Sequence, residues 1–279
     1  MLVLVGCVLL GCGGPKNALP DLRGEAVELN EEGYRYYRES RWRLAREKFG
    51  EALKLNRLID HRPGIAVNLN NLGALAQEEG DLELARRYYE EALALQRELG
   101  DPAGLCETLN NLGTVLAAQG RWQEAAARYQ EALNYAQSFP SGPLLALSLT
   151  HLGDVARHQQ DYPTALARYR EALALDESRR DRSGMAVRWS RLGRVYLALG
   201  DYAEARSLFA RALEECRRLE QTGGIIDALD GLTKVALARG DRLEARLYGE
   251  RLLKIYQARG QEREAEALAA TLGGEEGRK

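Results

Sequence analysis

One spacing constrains this chain more than any other property: related residues recur every 40 positions, with no insertion or deletion. Stepping from Gly73, the register meets Gly33, Gly113, Gly153, Gly193 and then Thr233. Twelve residues beyond each stands an alanine: Ala45, Ala85, Ala125, Ala165, Ala205 and Ala245. Sixteen beyond stands an aromatic (Phe49, Tyr89, Tyr129, Tyr169, Phe209), replaced in the sixth unit by Gly249. Nineteen beyond come Ala52, Ala92, Ala132, Ala172 and Ala212, then Leu252. Such a register marks a repeat array, in which a unit buries its apolar face only by stacking on its neighbours.

The units read as helix pairs. Ala, Leu, Glu and Arg dominate, Pro is scarce (7 of 279 residues), and the chain is 45% hydrophobic, which suits an all-helical protein with a sizeable core. The first helix of a unit starts near "DPAG" (101–104), with Asp101 as N-cap and Pro102 at the first helical position. "DLRG" (21–24) and "DRSG" (181–184) are its counterparts. Gly80, Gly120, Gly200 and Gly240 mark the following turns, where positive φ is expected. The second helix then carries the alanine and aromatic columns.

The shared pattern L-G…A-x3-[FY]-x2-A resembles the tetratricopeptide repeat, over roughly residues 21–260. That resemblance implies an all-α, right-handed α-α superhelix of six helix-turn-helix repeats, at 21–60, 61–100, 101–140, 141–180, 181–220 and 221–260. A capping helix at 261–272 and a disordered tail at 273–279 complete the expected layout. A period of 40 rather than 34 is similar to the longer-helix subclass of spindle-orientation adaptors, kinesin light chains and bacterial signalling proteins.

Before the array, "MLVLVGCVLLGC" is apolar and uncharged, too short to span a bilayer but suited to an export signal. "LLGC" resembles a bacterial lipobox. By that resemblance residues 1–11 are a signal peptide, Cys12 carries the lipid, and 12–20 form a flexible tether. No Lys or Arg precedes the apolar run, which departs from the usual signal, and "LVGC" leaves Cys7 as a second candidate. The expected location is the cell envelope, at the periplasmic side of the outer membrane, with the cytoplasm as the alternative. Cys106 and Cys216 lie too many repeats apart to form a disulfide.

The chemistry is sparse. Net charge −2 lacks the basic footprint of a nucleic-acid binder. There is no phosphate loop, no nucleophile motif and only three histidines, so neither catalysis, a cofactor nor a small-molecule substrate is expected. By the family resemblance, the first helix of each repeat lines the concave face. Its polar columns run from Asn70, Asn71, Asn110 and Asn111, through His151 and Asp154, to Arg191, Arg194 and Lys234. Asparagine weakens a helix by up to roughly 0.7 kcal/mol relative to alanine, so these asparagines are expected to serve a partner rather than the fold. The stripe is read as a groove for a protein or extended peptide, neutral at one end and taking acidic groups near repeats five and six. His151, Asp154 and His158 lie on one face but lack a fourth group for a metal. The carboxylate clamp of chaperone-binding relatives is matched only at single positions, so that specificity is not implied. The layout resembles envelope-assembly lipoproteins such as pilotins and hydrolase-docking adaptors. The alternative is a cytosolic module that senses a peptide or controls a partner enzyme.

Overall fold

The computed structural model describes residues 21–138 and 142–273. The signal peptide, the tether, Cys7, Cys12 and the tail from 274 onward lie outside the described residues. Those described form thirteen α-helices and no strand: α1 (Leu22–Arg38), α2 (Trp42–Leu58), α3 (Arg62–Glu78), α4 (Leu82–Leu99), α5 (Pro102–Ala118), α6 (Trp122–Ala136) and α7 (Pro143–His158). They continue with α8 (Tyr162–Arg179), α9 (Arg182–Ala198), α10 (Tyr202–Arg218), α11 (Thr222–Ala238), α12 (Arg242–Ala258) and α13 (Glu262–Gly273).

Capping explains the regular starts. Asp101 accepts from the Gly104 amide at 3.0 Å, and Asp21 and Asp181 do the same at 2.9 Å. These bonds satisfy amides that the first turn leaves open. Gly80, Gly120, Gly200 and Gly240 sit between α-helices with φ of 83, 76, 79 and 73°.

Within a pair, the aromatic lies flat against the marker glycine. A Cβ on Gly73 would come within 2.6 Å of the Tyr89 ring, and one on Gly153 within 2.5 Å of Tyr169. The alanine columns are buried wherever they occur, because a larger side chain would push the paired helices apart. The sixth repeat loses its aromatic for a comparable reason. A Cβ on Gly249 would lie 2.7 Å from Leu272, so a side chain of the capping helix α13 fills the space.

The array curves. The backbone of each odd-numbered helix from α1 to α11 approaches that of the next odd-numbered one, whereas among the described residues even-numbered helices meet through long side chains, as in Arg57–Glu91, Arg97–Glu131 and Arg206–Glu244. The odd helices therefore converge along the concave side, and the even helices splay outside. Cys106 and Cys216 are buried free thiols. No described helix is long and apolar enough to cross a membrane.

Candidate concave interaction face

The asparagines of "LNNLG" prove to be structural, which corrects the expectation that packing does not require them. Asn70, Asn71 and Asn110 are 6, 5 and 0% exposed, and Asn111 is half-buried. They bond from one odd helix to the next. The Asn30 side-chain oxygen accepts from Asn68 and Asn71, both at 2.8 Å, and the Tyr34 hydroxyl donates to Asn71 at 3.0 Å. One repeat along, Asn70 accepts from the Thr108 hydroxyl at 3.1 Å and from Asn111 at 3.2 Å, and donates to Glu107 at 3.1 Å. Asn110 then donates to Ser148 at 2.9 Å. An amide offers both a donor and an acceptor, so one side chain can join two helices. Each bond contributes about 1 kcal/mol, and a partner left buried and unbonded costs more.

Beyond the third repeat, ion pairs replace amides. Asp154 accepts from the Tyr169 hydroxyl at 2.8 Å and faces Arg191 at 3.4 Å. Arg194 pairs with Asp227, and Lys234 with Asp230 at 2.7 Å. The expected cationic end is therefore compensated residue by residue, which corrects the picture of a free positive surface. Deeper, Arg188 meets Asp176 at 3.1 Å, with Arg179 at 3.4 Å from the same carboxylate. Burial holds the Asp176 carboxyl above its ordinary range despite both arginines.

His151 does not join His158. Its ring stacks on Tyr129, centroids 4.6 Å apart, while His158 stacks on Trp122 at 3.9 Å. No three potential ligands converge on a metal position among the described residues. Burial pushes the His151 imidazole down to about 4, against the opposing pull of Asp154. A histidine in the unfolded chain titrates near 6.5. Between these values the unfolded state binds the extra proton, so His151 contributes stability above about pH 6.5 that is lost as pH falls toward about 4. The loss is at most roughly 3 kcal/mol, because the residue remains partly exposed. Urea midpoints measured across this window should fall with pH in the wild type and fall less in His151→Phe; parallel slopes would remove the assignment.

At the other end of the face the sequence pattern places Asn30, Glu31, Tyr34, Arg38 and Glu78 on the polar columns but misses Val27, Tyr37, Val67 and Glu107. Val27, Asn30, Tyr34 and Tyr37 recur at helical spacing on one stripe of α1. The Tyr37 hydroxyl donates to Glu78 at 3.3 Å, and Glu107 lies beyond, held by Asn70. Loss of water raises the pKa of the Glu107 carboxyl even though the residue as a whole stays exposed. Burial and the nearby Glu78 carboxylate push the Tyr37 phenol up to about 12, and burial with Glu107 raises that of Tyr34. The available signal was the column six before each marker, whose Val27, Val67 and Glu107 face the same side as the asparagines.

Comparisons with known proteins agree with this architecture. BtubC from P. vanneervenii is 23% identical, with a TM-score of 0.59 over 87% of this chain and 92% of that one. PilW, a widely conserved type IV pilus biogenesis factor, is 20% identical, with a TM-score of 0.60 over 82% and 92%. A Rap protein complexed with competence and sporulation factor is 14% identical, with a TM-score of 0.67 over 90% and 74%. At these identities the likeness is one of fold. No curated protein matches the chain. A tetratricopeptide-repeat model matches residues 26–98, 104–178 and 185–258, and a second matches 151–218. The glycine seam, the aromatic wedges and these matches have one conclusion: the chain belongs to the tetratricopeptide-repeat family.

Proposed function

We propose that this chain is a non-catalytic scaffold that receives a segment of another protein on its concave face and is held at the cell envelope by a lipid on Cys12. The observation that carries the reading is the convergence of the odd helices into one face, fixed by side-chain bonds between repeats rather than by apolar packing alone. A face held this way keeps its shape before a partner arrives, which lowers the cost of binding. The likeness to PilW supports an envelope-assembly role. The likeness to a Rap protein solved with its factor supports the alternative, a cytosolic regulatory module.

Two measurements separate these. Metabolic labelling with a palmitate analogue should mark the wild type and not Cys12→Ala, and fractionation should move the variant out of the membrane. An unlabelled, soluble wild type would leave the regulatory reading in place. The acidic-partner expectation is tested by Arg191→Glu/Arg194→Glu, which should weaken capture of an acidic peptide if either arginine exchanges its internal aspartate for the ligand.

A further inference from the structure

The charges of the concave face are not balanced evenly along its length. Arg191, Arg194 and Lys234 each have an aspartate. By contrast, Glu31, Glu78 and Glu107 pair with no cation among the described residues; Glu78 and Glu107 are met only by a phenol and an amide. Against them, among the described residues, stands one cation of the same stripe without an ion pair, Arg38, so the uncompensated charge of repeats one to three remains negative. The wider field has the same sign: residues 61–140 hold eleven acids and six bases, whereas 181–260 hold eleven acids and fifteen bases.

The surroundings specify more than charge. Tyr34 packs edge-on against Phe49 with centroids 5.7 Å apart, and Tyr37 against Trp42 at 5.5 Å, so both rings are held in place. Tyr34 nevertheless stays 43% exposed. Two turns before it stands Val27, which with Val67 of α3 (53 and 47% exposed) lines a cavity of ≈ 300 Å³ between α1 and α3. Asn30, Asn56 and Asn68 supply its polar lining, together with Arg23 and His61. Arg23 and His61 thus stand away from Tyr37 and Glu78, where Arg38 is the nearest cation in the sequence. Rings flanked by unpaired carboxylates attract an ammonium or guanidinium through charge and through the ring faces. The cavity accepts an aliphatic side chain.

We infer that repeats one to three dock a basic segment of a partner protein, with an aliphatic residue in the Val27–Val67 cavity and a Lys or Arg against Tyr34, Tyr37, Glu78 and Glu107. This rests on the scaffold reading above and names the partner chemistry at that face. It places the main recognition at the opposite end from the arginines. The acidic field of repeats two and three adds long-range attraction and a dependence on salt.

The test uses short randomised peptides sorted by net charge, presented to the full chain. Basic peptides with an aliphatic residue should be retained more strongly than acidic ones, and added salt should weaken retention. Glu78→Gln/Glu107→Gln should cut affinity for the selected basic peptide at least about tenfold. Tyr34→Ala should also weaken it, while Arg191→Gln should not. Far-UV melting of each variant separates lost binding from lost folding; Tyr34→Phe, which keeps the ring but not the Asn71 bond, keeps binding if the ring face is what matters. Selection of acidic or neutral peptides, or binding indifferent to the two glutamates, overturns the inference and leaves the scaffold standing. Failure of every peptide class to bind counts against both.

Discussion

Tyr169→Ala should lower the unfolding free energy by about 3–5 kcal/mol, the range for removing a fully buried aromatic. Its ring is 0% exposed and lies on the backbone of α7, where Gly153 leaves room for it. Truncation opens a void at a close-packed helix crossing, and Asp154 loses its 2.8 Å bond from the hydroxyl. Position sharpens the effect. In a solenoid each repeat is stabilised by its neighbours, so a loss at the fourth of six repeats falls on the centre of the array. Tyr169→Phe keeps the ring and should cost only about 1 kcal/mol, the net value of one hydrogen bond. Urea denaturation followed by far-UV circular dichroism gives both numbers. An Ala variant within about 1 kcal/mol of wild type would mean that the repeats slide together to close the gap.

A comparable loss is expected one layer deeper. Arg188 and Asp176 are 7 and 1% exposed and join α9 to α8 across 3.1 Å. Arg188→Met removes the main countercharge of a carboxylate that water does not reach, leaving it to Arg179. Breaking such a pair from one side costs about 3–5 kcal/mol. Replacing both partners, as Arg188→Met/Asp176→Leu, should recover most of that loss, because two charges then no longer need burying. A double-mutant cycle reads the coupling directly. If the double variant is as unstable as Arg188→Met alone, the carboxylate has a further role. Its contact with Gly184 is the place to look, since a Cβ there would lie 2.5 Å from the Asp176 oxygen.

The fold was legible because packing repeats at a fixed offset. Gly73 and Tyr89 sit sixteen residues apart and touch within one helix pair, so the same solution recurs at Gly113–Tyr129 and Gly153–Tyr169. Asp101 as N-cap was legible because capping is local. The candidate site was legible as a location and misread in its chemistry. Asn71 looks costly when weighed only against helix propensity; its reward is a bond to Asn30, forty-one residues earlier. Arg194 looks free until α11 brings Asp227 to it, thirty-three residues later. Glu107 and Tyr37 escaped notice because neither belongs to a repeated column: one stands where the first two repeats have valine, the other where later repeats have glutamine, alanine, arginine or leucine. Gly249 looked like decay at the end of the array until Leu272 was seen to take the place of its missing aromatic.

The change along the concave side from amide bonds to ion pairs has a mechanical consequence. Neutral amide bonds are nearly indifferent to ionic strength, whereas partly exposed ion pairs soften as salt rises. Along its concave side the molecule is thus a spring made of two materials: the bonds near α3 and α5 hold as electrolyte is added, while those near α9 and α11 yield, and the exposed pairs Arg57–Glu91 and Arg97–Glu131 put the salt-sensitive part of the first repeats on their outer side.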